Sequence, residues 1–186
     1  MVVRLIHAIL FIFLVPVSAT TLNQASVEFT DGNYRMAFDV EVNAPRSEVY
    51  RLLTDYEHLP RLNDMVRESH ILPSSDPGDR TRETILQFCL MFFCNSVTIV
   101  ERLLENGTDT ITASVIPEQS DLKYGETEMF IRAVNEKQAR IQYASSIEPA
   151  FWIPPVIGPW LVRKKMEAEL GVMIQRIESL VNEKAQ

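Results

Sequence analysis

The chain is 186 residues long, 46% hydrophobic and 23% charged, with a formal charge of −7 at neutral pH. That length bounds it to one domain able to bury a real core. An acidic chain without a basic stripe argues against nucleic acid as a partner and leaves any attraction to anionic lipid a local matter.

Met1 to Arg4 carry one positive charge, and Leu5–Val15 follow as an uncharged apolar run that Pro16 breaks. Val17-Ser18-Ala19 then offers small residues where a signal peptidase reads. This is the layout of a secretory signal peptide over residues 1–19, with cleavage after Ala19 and a periplasmic or secreted mature chain. The apolar run falls short of the ~20 residues a spanning helix needs. Thr20, and no cysteine, stands directly after the cleavage point, which argues against a lipoprotein anchor. The mature chain keeps both cysteines, Cys89 and Cys94. In an oxidising compartment a C-x4-C pair reads as a disulfide, with Cα atoms about 4.4–6.8 Å apart. A metal would need more ligands than His58 and His70 add, so neither metal nor cofactor is expected.

Residues 20–32 read as an N-terminal segment and hairpin. Val27-Glu28-Phe29-Thr30 is followed by Asp31-Gly32, a strong signal for a two-residue turn. Beyond it Tyr34, Met36, Phe38, Val40 and Val42 alternate with polar residues, the period-2 pattern of a strand with one buried face. Pro45 suits a helix's first turn, and Val49, Leu52, Leu53 and Tyr56 recur at helical spacing behind it. A second short helix is expected over Leu59–Asn63. Turn signals then separate strands at roughly 65–73, 80–90, 94–104, 109–117, 124–134 and 138–148, an antiparallel meander. After the Pro-rich stretch from Glu148 to Pro155, Gly158-Pro159 opens a long helix. Val162, Met166, Leu170, Met173, Ile177 and Val181 give it one apolar stripe, while Arg163, Lys164, Glu167, Glu169, Arg176 and Glu178 fall mostly on other faces. The class is α+β, a curved antiparallel sheet wrapped around a long C-terminal helix, with two short helices after the first strand of the motif: the helix-grip arrangement.

The stretch Asp39-Val40-Glu41-Val42-Asn43-Ala44-Pro45, followed by Val49-Tyr50, Leu52-Leu53-Thr54-Asp55-Tyr56-Glu57 and Leu59-Pro60, resembles the opening of the START-like (SRPBCC) superfamily. Its nearest branch is the polyketide cyclase/dehydrase and lipid transport group, on the side of the coenzyme Q-binding proteins. The resemblance covers about residues 33–183 within a domain of 33–186. It implies a cavity between sheet and helix, and no particular reaction.

No phosphate loop, G-x-S-x-G elbow or H-E-x-x-H appears in the mature chain, and no catalytic residue is assigned. His58, His70, Asp55 and Glu57 read as surface or capping groups. A cavity for an apolar ligand needs apolar and aromatic walls. The inward faces put Met36, Phe38, Met129, Ile131, Ile141 and Tyr143 there, opposite Met166, Leu170 and Met173. Two apolar segments look like surface: Leu90–Phe93 at a hairpin tip, with Phe92 and Phe93, and residues 151–160, with Phe151, Trp152 and Trp160 beside Lys164. These are expected to gate the cavity or meet a membrane. The reading is an exported carrier for a lipid, isoprenoid quinone or sterol-like molecule. A polyketide cyclase/dehydratase-like enzyme and a ligand-free docking module remain open, and the sequence leaves the oligomeric state unassigned.

Overall fold

The computed structural model describes residues 22–74, 78, 80–90, 93–107, 109–153 and 157–184, apart from the side chains at 22–24, 88, 90 and 93. The leader expected over residues 1–19, Phe92 and the Phe93 side chain lie outside the described residues.

Strands β1 (Leu22–Thr30) and β2 (Asn33–Val42) form the first hairpin. Its turn holds Asp31 at φ 50 and Gly32 at φ 85, the two positive values a type I′ turn demands. Chain order continues with α1 (Arg46–Leu53), a 3-10 helix over Tyr56–Arg61, β3 (Val66–Ile71), β4 (Arg80–Leu90), β5 (Phe93–Asn106) and β6 (Thr110–Val115). A second 3-10 turn, Pro117–Gln119, leads to β7 (Leu122–Asn135), β8 (Gln138–Pro149) and α2 (Gly158–Lys184). All eight strands form one antiparallel sheet in the order β1-β2-β8-β7-β6-β5-β4-β3. From β3 to β8 every strand pairs with its sequence neighbour, and β2 closes the order by pairing with β8.

The expected meander is present with each strand shifted by a few residues at most. The Pro117–Gln119 turn was not legible. It lies along the edge of β5 past the end of β6, where Ser120 Oγ accepts from the Val100 N–H at 2.8 Å and donates to the Val100 carbonyl at 3.1 Å. At the far tip Cys89 pairs directly with Cys94 and the disulfide is formed. Its Cα atoms are 4.0 Å apart, closer than expected. The two-residue connection places this pair next to the one that closes the turn, where facing residues exchange no hydrogen bonds and approach most closely.

The core lies at one end of the grip. Val40, Val42, Ile131 and Ile141 from the sheet meet Val49, Leu52 and Leu53 of α1 and Leu170, Ile174 and Ile177 of α2. Ile174, outside the expected stripe, is buried, so the buried face of α2 is wider than sequence spacing suggested. Polar ties hold α2 along the sheet. Glu178 accepts from the backbone N–H and side-chain amide of Asn43 at 2.9 and 3.0 Å. Arg176 pairs with Asp64 at 2.7 Å, and Lys184 with Glu48 at 2.9 Å. The α1 segment is fixed from below by Glu105, which accepts from the hydroxyls of Tyr50 (2.8 Å) and Tyr56 (3.0 Å) and pairs with Arg80 at 2.6 Å.

Candidate functional site

Packing is incomplete at the other end of α2. Between its first turns and strands β2 and β8 lies a cavity of about 250 Å³. The sheet contributes Met36, Phe38 and Tyr143; the helix contributes Val162, Met166, Leu170 and Met173; Asn63 and Met65 form a third side. Phe38 and Tyr143 face each other across β2 and β8 and stack, with ring centroids 4.7 Å apart and planes within 8°. Four of the chain's seven methionines line this space. Thioethers adapt to irregular occupants, so the wall can give.

Six of the nine residues expected at a ligand site are therefore brought together: Met36, Phe38, Tyr143, Met166, Leu170 and Met173. The other three share the inward faces but sit deeper. Ile131 and Ile141 are fully buried in the core cluster, and Met129 packs against it. There α1 already covers β7 and β8, leaving no space to line.

The cavity has polar groups that sequence reasoning missed. Glu169 is 7% exposed, on the helix face the apolar spacing reserves for the core. Its carboxylate accepts from the Asp64 N–H at 3.1 Å and the Lys165 ammonium at 2.6 Å, tying α2 to the segment that carries Asn63 and Met65. Glu169 and Lys165 thus make a polar rim.

Past Tyr143 lies a second polar group on the inward faces of β3, β4 and β5. Arg82 pairs with Glu101 across the strands at 2.5 Å, the two side chains being 19% and 11% exposed. Ser69 and Thr84, a facing pair, are buried beside them. Arg82 Nε, Ser69 Oγ and Thr84 Oγ1 are buried without a hydrogen-bond partner, an arrangement that costs free energy unless something polar reaches them. The Tyr143 hydroxyl bonds to Ser145 and Thr127 and lies in the field of Glu101 and Arg82; burial pushes its pKa up. The register carried a signal for this patch. If Cys89 faces Cys94, counting back along both strands sets Arg82 opposite Glu101.

The groups considered for catalysis lie elsewhere. His58 bonds to Asp55 at 2.7 Å, and His70 to Glu57 at 3.0 Å, all four being exposed. Glu57 also accepts the Ile71 N–H, so it ties the 3-10 helix to β3. A larger, open hollow of about 720 Å³ lies mainly on the outer face of the sheet. Short and charged side chains such as Ser26, Glu28, Arg35, Glu126 and Glu128 line it, a poor match to an apolar ligand. Of the expected surface residues, Trp152 and Trp160 are exposed, Lys164 is exposed, and Phe151 is half-buried. Among the described residues no helix is long and apolar enough to cross a membrane.

Comparison with known proteins agrees with this architecture. No curated protein sequence matches the chain. A START superfamily protein from Mycobacterium smegmatis superposes with a TM-score of 0.62 at 16% identity, covering 80% of this chain and 97% of that one. The Zhui aromatase/cyclase from Streptomyces sp. R1128 gives 0.62 at 12% identity, over 83% and 96%. Human STARD10 gives 0.60 at 14% identity, over 82% and 72%. At these identities the likeness is one of fold. Residues 33–178 match the family model described as polyketide cyclase / dehydrase and lipid transport, and the chain belongs to that family.

Proposed function

We propose that this protein is an exported carrier for an apolar molecule with one uncharged polar end, held between the sheet and α2. The observation that carries the reading is the apolar cavity of about 250 Å³ walled by Met36, Phe38, Tyr143, Met166 and Met173. That volume lies just below the ~300–1,000 Å³ of ordinary ligand sites, and a flexible methionine wall is what would let a longer isoprenoid or acyl chain enter. The polar end of the ligand is inferred from the patch beyond Tyr143. Glu101 already neutralises Arg82, so a second anion gains little, whereas a hydroxyl or carbonyl satisfies Arg82 Nε, Ser69 and Thr84. Export rests on the leader sequence and on the Cys89–Cys94 disulfide, a bond that persists in oxidising compartments.

The test is native mass spectrometry of the protein purified from its producing cells, together with uptake of the apolar dye Nile red. The carrier reading expects a bound molecule with an uncharged head, dye uptake, and loss of both in Met166→Asp. An empty protein whose dye signal ignores Met166→Asp would overturn it. A bound molecule released chemically altered would replace the carrier with an enzyme. Amino-terminal sequencing of the exported fraction should begin at Thr20, and a retained Met1 would refute cleavage.

A further inference from the structure

The described residues expose six large hydrophobic side chains: Leu104, Tyr124, Val134, Trp152, Ile157 and Trp160. The first three are scattered, Leu104 on β5 and Tyr124 and Val134 ten residues apart on β7. The last three fall within nine positions of one another and include the most exposed of all, Trp152 at 78%, with Trp160 at 59% and Ile157 at 47%. They are held out on a firm base. Phe151 and Ile153 are partly buried on either side of Trp152. Gly158 is buried so closely on Ile153 that an added Cβ would come within 2.5 Å of it, and within 3.2 Å of the Tyr34 hydroxyl. Beside Trp152 a hollow of about 400 Å³ opens between Phe29, Tyr34 and Phe151.

The charge around these residues runs against that of the molecule. The chain carries −7, yet residues 149–166 contain three cations and no acid. Arg163 is used internally, donating to the Val27 carbonyl at 3.1 Å, and Lys165 pairs with Glu169. Lys164 is exposed and makes no ion pair among the described residues.

From this we infer that the face carrying Trp152, Ile157, Trp160 and Lys164 docks on the surface of an anionic lipid bilayer. Indole rings with an adjacent ammonium suit the boundary between acyl chains and phosphates. Three protruding side chains are too few for a standard protein interface, which buries about 800 Å² on each partner. The acidic remainder of the molecule is repelled by the same surface, so docking is oriented. The inference rests on the carrier reading for its purpose, because Val162, Lys165 and Met166 of the same helix turns line the cavity. Docked this way, the protein meets lipid at the end of α2 where the grip is open.

The chain's only two tryptophans are both on this face, so their emission reports docking directly. The full chain is mixed with vesicles of equal parts phosphatidylglycerol and phosphatidylcholine, and with phosphatidylcholine alone. Because the Leu5–Val15 run can itself reach a bilayer, the decisive quantity is the difference between wild type and variants. We expect a blue shift on the anionic vesicles that weakens as salt rises. Trp152→Ala should bind about tenfold more weakly, from the loss of one buried large side chain, and Lys164→Gln about fivefold, one cation's share. Nile red uptake without vesicles should be unchanged in both variants. An emission maximum that stays put, equal binding to both vesicle types, or variants that bind as wild type does would each overturn the docking face. Uptake of dye with no docking would leave the carrier standing, and docking without uptake would remove the carrier while keeping the face.

Discussion

Replacing Glu101 by Ala strands the Arg82 guanidinium on the inward face of β4, where 19% of its side chain is exposed. Breaking one partner of a buried ion pair costs about 3–5 kcal/mol. Partial exposure puts this pair near the lower end, about 3 kcal/mol. Arg82→Met should cost about the same, with a further ~0.5 kcal/mol because the guanidinium also lies over the Tyr56 ring, 5.2 Å from its centroid. The double variant Arg82→Met/Glu101→Leu removes both charges while keeping most of the volume, and should fall within about 1 kcal/mol of wild type. With Glu101→Leu as the matching single variant, at a cost like that of Glu101→Ala, the double-mutant cycle predicts a coupling of about 5–6 kcal/mol. Urea unfolding followed by far-ultraviolet circular dichroism measures it, and each single variant should melt about 10 °C lower at this domain size. Single variants within 0.5 kcal/mol of wild type would show a solvated pair and no closed polar end. A double variant as unstable as the sum of the singles would show that the two charges do not sense each other.

Leu170→Ala removes a core side chain between α2 and the sheet and should cost about 2–5 kcal/mol in the same assay, whereas Lys164→Ala should leave the midpoint within about 0.5 kcal/mol. Reducing Cys89–Cys94, or replacing both by Ser, opens a loop so short that about 2 kcal/mol is lost; free thiols in the native oxidised protein would refute the bond. The Ile71 N–H and then His70 hold the Glu57 carboxyl below its ordinary value of 4.5, and Glu57 raises His70 above its ordinary 6.5. The Glu57 contribution is present above pH 4.5 and lost as pH falls through the lowered value, while that of His70 is present below pH 6.5 and lost as pH rises through the raised one. His70→Gln should flatten the melting temperature on the alkaline side and only partly on the acid side, where the Ile71 N–H still holds Glu57, and an unchanged pH profile would refute the pair.

The fold was readable because its signals are local. The alternation from Tyr34 to Val42, the Asp31-Gly32 turn and the stripe from Val162 to Val181 each state an element within a short window. The site was half readable for the same reason: Met36, Phe38, Tyr143, Met166 and Met173 are apolar residues on faces the periodicity identifies. Glu169 broke the helical pattern because its partner, the Asp64 N–H, comes from 105 residues away. Arg82 and Glu101 broke the strand pattern because an inward charge looks like a solvated one until its opposite number is placed. Periodicity also does not say where an inward face stops being core. Ile131 and Ile141 differ from Phe38 and Tyr143 in what lies above them, α1 rather than open space.

The closure of the sheet by β2 on β8 fixes an order of events in folding. Tyr34 must find Ile147, and Val42 must find Ala139, contacts about a hundred residues apart in sequence. Every other pairing joins neighbours across a turn or a short connection. Loop closure on that scale is slow relative to hairpin formation. The β1–β2 hairpin emerges first during synthesis and yet acquires its place among the last, leaving the outer strand of a finished meander waiting for it. Backbone amides of β2 facing β8 should therefore be late to gain protection from hydrogen exchange, and the grip around α2 closes only when the two ends of the chain have met.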